Sequence, residues 1–194
     1  MENGSWSRMT ILIINICKHE LHYYEFVKPI EKILEGIEIK YSTKDYDKIS
    51  KNDLEKSSRI IICGTSLKDN NFLEELPLFD NILKSNKPIL GICGGMEILG
   101  TLLGGSIKER KEIGTTEITF QKDFLGVNKS EEKQVYHLHN FYVDFSDIKD
   151  EVEISAYSYN IIPQAFKHKT KKIYGTLFHP EVKNKEIIIN FCKE

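Results

Sequence analysis

The sequence lacks several features, and each absence narrows the reading. No apolar run approaches the roughly 20 residues that cross a bilayer, and no hydrophobic stretch of the signal-peptide kind follows Met1. Neither sign of charge dominates: 27 Lys and Arg stand against 29 Asp and Glu, a net charge of −2. Nothing in that balance draws the chain to nucleic acid or to an anionic membrane. The four cysteines, at 17, 63, 93 and 192, include no Cys-x-x-Cys pair. This argues against a zinc ribbon or a disulfide framework and for a reducing, cytoplasmic setting. There is no Gly-x-x-x-x-Gly-Lys-Ser/Thr phosphate loop, so any ATP-using chemistry is expected on another chain. Internal repeats and low-complexity linkers are missing as well. No metal, cofactor, nucleic-acid or membrane partner is expected.

What is present fits one domain. At 194 residues the chain is long enough for a single sizeable core. Residues 1–8 are polar and unpatterned and read as a disordered leader; residues 9–194 read as the domain. Thr10 to Ile16, Arg59 to Cys63 and Lys87 to Ile92 are apolar, β-branched runs, the mark of strands buried on both faces. Ile37 to Tyr41 reads as a further strand. Tyr23 to Leu34 carries apolar residues at helical spacing, Asp45 to Lys56 reads as polar helix or loop, and Asn70 to Ser85 as helix. Alternating strands and helices predict a doubly wound, mostly parallel α/β sheet of flavodoxin-like kind. Ligands of such sheets bind beyond the carboxyl ends of the strands. The second half is richer in strand patterns: 117–120, 134–143, 151–157, 162–168 and 172–178. These read as antiparallel additions around the crevice, closed by a helix over 185–192.

One stretch organises the rest. Pro88-Ile-Leu-Gly-Ile-Cys-Gly-Gly-Met-Glu-Ile-Leu99 runs from a buried strand through a glycine-rich turn into a helical pattern. Gly91 and Gly95 sit two residues to either side of Cys93, the spacing of a nucleophile elbow. A sharp strand-to-helix turn strains the central residue, and bulky neighbours would collide with it. The thiol then lies at a helix N-terminus, where the dipole favours thiolate, and the Gly94 N–H is placed to donate to an oxyanion. Glycine-rich turns also bind phosphate, and a buried cysteine is usually inert, so the turn by itself leaves both readings open. The segment Tyr174-Gly-Thr-Leu-Phe-His-Pro-Glu181 favours chemistry. A cysteine nucleophile needs a base, and the base needs an acceptor to orient it. His179 and Glu181 stand two residues apart, on the same side of an extended segment.

Gly91-Ile-Cys-Gly-Gly95 together with Phe178-His-Pro-Glu181 resembles the class I (triad) glutamine amidotransferases, and among them the separate glutaminase subunit of archaeal GMP synthetase. The resemblance is strong from about residue 60 onward. It implies that Cys93 attacks the side-chain amide of glutamine, that His179 shuttles the proton and that Glu181 fixes the imidazole. Gly94 and Thr65 would supply the oxyanion N–H groups. Gly64, Glu97, His139, Asn140 and Phe141 would contact substrate. The ammonia would pass to a separate ATP-dependent synthetase subunit. The chain departs from the family at several of these positions. Thr65 and Ser66 replace a Gly-Pro, so the second donor survives only if Thr65 adopts the local conformation. Glu97 stands where the family has Gln; a carboxylate there removes two N–H donors and disfavours the thiolate unless it is paired or protonated. Asn140 and Phe141 replace a polar–acidic pair. Two alternatives stay open: a stand-alone hydrolase or transferase acting on another γ-glutamyl or amide substrate, and a weakened regulatory module. Two histidine groupings raise the question of metal. His19, Glu20 and His22 have the wrong spacing for a zincin helix. His137 and His139 share one strand face with no third ligand evident.

Overall fold

The computed structural model describes residues 9–159 and 161–194; the expected leader over 1–8 lies outside them. In chain order the elements are β1 (Thr10–Asn15), α1 (Glu20–His22), a π-helical turn (Tyr23–Val27), α2 (Lys28–Gly36), β2 (Lys40–Asp45), α3 (Lys51–Lys56), β3 (Arg59–Ile62), α4 (Asp80–Lys84), β4 (Ile89–Ile92), α5 (Gly94–Leu102), β5 (Ser106–Phe120), β6 (Glu132–Asp144), β7 (Val152–Tyr157), β8 (Pro163–His168), β9 (Ile173–Thr176) and α6 (Glu186–Lys193). Among the described residues nine strands form one sheet in the order β2-β1-β3-β4-β9-β8-β7-β5-β6. The first five in that order are parallel to one another, and β8, β7, β5 and β6 continue antiparallel. This is the expected α/β architecture with an antiparallel addition.

The parallel strands are apolar throughout because helices cover both faces. Ile11 to Ile14, Ile60 to Ile62 and Ile89 to Leu90 have no exposed surface. The β5–β6 pair behaves differently. β5 joins the sheet only through Thr119 and Phe120, opposite Tyr157 and Ala156. Its earlier residues pair with β6 alone, and β6 packs against α5 and β8. The hairpin therefore swings back over the elbow helix.

Four expectations need correction. β9 lies in the parallel layer beside β4, not among the antiparallel additions; its neighbour in sequence, β8, is antiparallel to it and misleads about its other edge. The strand expected over 117–120 begins at Ser106. Lys108, Glu109, Arg110 and Lys111 hide it, because one face of a two-stranded ribbon meets water. The helix expected over 70–85 is two short 3-10 turns, Asn71–Leu73 and Leu76–Phe79, followed by α4. Pro77 has no N–H to give and restricts the residue before it. The strand expected at 37–41 starts at Lys40 instead, after Glu38 takes a φ of 56°.

The elbow is sterically exclusive. A Cβ on Gly91 would overlap the carbonyl oxygen of Gly95, and a Cβ on Gly95 would overlap that of Ile62. Both obstacles are backbone and cannot swing aside. Gly95→Ala is expected to cost about 1–3 kcal/mol in urea unfolding. Gly36→Ala, where nothing lies within 4 Å of the added carbon, is the control and should be neutral or slightly stabilising.

Candidate active site

β4 and β9 are parallel neighbours, with Ile92 opposite Thr176. Their chains leave the sheet at the same level. The Cys93 N–H donates to the Thr176 carbonyl at 2.7 Å, and three residues beyond Thr176 the chain reaches His179. Cys93 has φ 50° and ψ −107°, a left-handed conformation that costs a non-glycine residue on the order of 1–3 kcal/mol. α5 begins at the next residue, so the Gly94 amide is among those with no partner inside the helix.

His179 is held from three sides. Its N–H donates to the Tyr136 carbonyl on β6 at 2.9 Å. Its Nδ1 bonds Glu181 Oε1 at 2.7 Å, with both side chains wholly buried. The Phe26 ring, carried by the π-helical turn, lies 5.3 Å away between centroids. Gly64 closes the fourth side: a Cβ there would sit 2.6 Å from His179 Cε1 and 3.3 Å from Cys93 Cβ. Cys93, His179 and Glu181 thus come together.

The Cys93 thiol faces two groups, the Leu138 carbonyl and the His179 ring. Cys93 Sγ donates to the Leu138 carbonyl on β6 at 3.6 Å, and His179 Nε2 is buried with no hydrogen-bond partner among the described residues. Burial pushes the Cys93 thiol up, against the downward pull of His179. Burial acts to lower His179, but the Glu181 carboxylate and the Cys93 sulfur outweigh it and hold the ring well above its ordinary value. The cavity at the sulfur measures only about 10 Å³ and is lined by Thr65, Leu67, Cys93, Glu97, His139 and Asn140 among others. That is the threshold for a single water, so an amide substrate requires this pocket to open.

The remaining expected site residues fall as follows. Thr65 is buried and does not have the positive φ that would strain it. Its hydroxyl donates to Asp69 Oδ2 at 3.1 Å. Asn140 lines the pocket, but its amide is engaged: Nδ2 donates to the Leu67 carbonyl at 2.8 Å and ties the 65–70 loop to β6. The ring of His139 is tied to Glu112 at 3.1 Å. Phe141 is not among the lining residues; the period-two alternation of β6 sets it on the face shared with His137 and His139.

Glu97 answers the question its charge raised. It is 2% exposed, and burial lifts its carboxyl to about 8, partly countered by His179. At neutral pH it is the protonated acid, with one O–H donor and one carbonyl acceptor, as an amide also presents both functions.

Two features escaped the sequence reading. Asp69 accepts from the Lys18 N–H at 3.0 Å and the Thr65 hydroxyl and bonds His22 Nδ1 at 2.6 Å, anchoring the loop. His22 therefore has a partner unrelated to the grouping considered at 19–22. Its pairing across 47 residues left no local signal. Glu112, from the part of β5 that was not anticipated, stands beside His137 and His139. The expectation that this pair has no third ligand-type neighbour is thereby corrected.

The fold and the elbow define a doubly wound α/β protein with a strained cysteine at the head of a helix. The family model of class-I glutamine amidotransferases matches residues 22–192, and the chain belongs to that family. The glutamine-hydrolysing GMP synthase subunit of Methanococcus aeolicus is 38% identical over 125 residues, 59% of this chain and 63% of that protein. Its counterpart in Methanocaldococcus jannaschii is 36% identical over 121 residues, again 59% and 63%. The matched region thus spans less than two thirds of these relatives. In overall shape the chain is similar to a crystal structure of a Thermoplasma acidophilum protein described as a GMP synthase subunit, with a TM-score of 0.83 at 24% identity over 96% of this chain and 93% of that one. A glutamine amidotransferase from Thermotoga maritima follows at 0.68 and 22%, over 96% and 81%. At these identities the likeness concerns the fold. No helix among the described residues is long and apolar enough to cross a membrane.

Two expected outcomes follow from the site. Asn140→Ala removes a hydrogen bond worth roughly 1 kcal/mol that closes the pocket, so alkylation of Cys93 by iodoacetamide should speed up about fivefold. Glu97→Gln should stabilise the fold in a pH-dependent way. Below the ordinary carboxyl range, 4.5, both folded and unfolded Glu97 are protonated and the variant matches the parent. Between there and about 8 the unfolded state loses a proton that the folded state keeps, which destabilises the parent alone. The gain in melting temperature should therefore appear as pH rises through that window and level off above it.

Proposed function

We propose that this chain is a glutaminase that passes ammonia to a separate ATP-dependent synthetase subunit. The observation that carries the reading is the meeting of an elbow thiol with an imidazole whose far nitrogen is held by a carboxylate at 2.7 Å. Cys93 attacks the amide carbon of glutamine. His179 takes the thiol proton and gives it to the departing ammonia, leaving a γ-glutamyl thioester. Water, activated by the same ring, then cleaves the thioester to glutamate and restores the thiol. Glu181 keeps Nδ1 in the tautomer this requires and stabilises the imidazolium. The Gly94 and Thr65 amides hold the oxyanion, and losing one such donor costs roughly 10²–10³ in turnover. Neutral Glu97 lines the pocket without repelling the thiolate. Names of the relatives favour the amination that yields GMP as the acceptor reaction.

The closed pocket around Cys93 describes a resting arrangement. Free glutaminase activity is accordingly low, and docking of the synthetase opens the 65–70 loop. A stand-alone hydrolase needs no such activation, and a regulatory module has no turnover to activate.

Incubation with a glutamine-mimicking electrophile tests the reading. An adduct on Cys93 is expected, absent in Cys93→Ala, with the labelling rate raised by the partner synthetase. No adduct in either condition refutes catalysis at this site. If Glu97→Gln raises glutamine turnover severalfold, the native carboxylic acid is tuned to another amide.

A further inference from the structure

The hairpin that reaches back over the elbow helix carries a second cluster. Glu112 and His139 are opposite each other across β5 and β6, and His137 is diagonal to both Glu112 and Thr116. A register shift between Glu109 and Glu112 re-aims β5 at this point. The result gathers three donor atoms, one per residue, within 4.8 Å of one another. His139 Nε2 lies 3.1 Å and His137 Nδ1 3.9 Å from Glu112 Oε2.

Two of the three groups are oriented by a neighbour outside the cluster, while His139 Nδ1 is buried with no hydrogen-bond partner among the described residues. His137 Nε2 bonds Thr116 Oγ1 at 2.7 Å, which sets that ring with Nδ1 toward the carboxylate. Gln164 Nε2, from β8, donates to Glu112 Oε2 at 2.9 Å. His137 has no exposed surface, and its Nδ1 has no hydrogen-bond partner among the described residues. A buried imidazole nitrogen aimed at a carboxylate yet unbonded is costly unless something lies between them.

We propose that Glu112, His137 and His139 bind a divalent transition-metal ion, zinc by the character of the donors, that fastens β6 to β5. Two imidazoles and one carboxylate, with a fourth position left for water, form a set that zinc accepts and that other borderline first-row ions share. Thr116 and Gln164 supply the outer hydrogen bonds that orient metal ligands. Glu112 is 14% exposed at its side chain, which leaves a path for entry. His139 directly follows Leu138, whose carbonyl receives the Cys93 thiol, so the ion would steady the strand that forms one wall of the candidate active site. The site does not depend on the glutaminase reading.

The test uses the intact chain, stripped with a chelator and titrated with zinc chloride or cobalt chloride. One ion per chain is expected, in the parent and in Cys93→Ala alike. The cobalt form should show visible d–d bands without a thiolate charge-transfer band. Glu112→Gln should abolish stoichiometric binding, and Thr116→Val should weaken it by roughly 10- to 100-fold, with circular dichroism verifying that both remain folded. If Glu112→Gln does not fold, the cobalt spectrum of Cys93→Ala decides instead. Substoichiometric binding of both ions overturns the proposal and leaves a hydrogen-bonded His–Glu–His network. Binding that is lost in Cys93→Ala, or kept in a folded Glu112→Gln, also overturns it by placing the metal elsewhere. Because the readouts are stoichiometry and spectrum, they are separate from the Cys93 adduct that tests the glutaminase.

Discussion

The pairing of β4 with β9 is the constraint on which the rest of the molecule depends. Parallel neighbours end on the same side of a sheet, and the register Ile92↔Thr176 ends these two at the same level. The Cys93 N–H closes on the Thr176 carbonyl one step further on. From that bond outward, the chain after β4 must turn into a helix and the chain after β9 must turn into the His179–Glu181 segment, both over one crevice. Gly91, Gly95 and Gly64 are the positions where backbone and ring approach too closely for any side chain. Removing the pairing would leave a strained cysteine and a buried ion pair with no reason to meet.

Burial governs the chemistry of that crevice. It raises the Cys93 thiol and keeps Glu97 protonated near neutrality. His179 goes the other way only because Glu181 and Cys93 outweigh desolvation. A thiol bonded to Leu138 and an imidazole nitrogen without a partner are compatible in a pocket of about 10 Å³. They describe a closed pocket around the thiol and the imidazole. The clamps on that state are polar and local: Asn140 to Leu67, and Asp69 to His22, Thr65 and Lys18. A neutral hydrogen bond such as that of Asn140 is worth about 1 kcal/mol, and those to the Asp69 carboxylate about 1.5–3 kcal/mol each.

The β5–β6 hairpin shows why half of the surroundings were hard to read. β6 announced itself through aromatic and β-branched residues, yet its partner carries a run of charges because one face of the ribbon is wet. Reading β5 as starting at residue 117 left His137 and His139 without company. With β5 extended to Ser106, Glu112 falls opposite His139 by register alone. Phe141 and Asn140 show the converse. Both were placed at the substrate by their position in a family motif; Phe141 is not among the residues that line the pocket, and Asn140 spends its amide on a loop.

The sequence by itself determined the buried parallel strands, the elbow and the two-residue spacing of His179 and Glu181. These depend on local rules: apolar runs, glycines that leave room for a sharp turn, and the period of an extended chain. Tertiary structure alone decided that β9 sits beside β4 rather than among the antiparallel strands, that Glu97 is neutral, that Asp69 anchors the 65–70 loop and that Glu112 joins two histidines. Each of those rests on groups brought together across many residues and on the water they exclude, and neither is encoded in any short stretch of the chain.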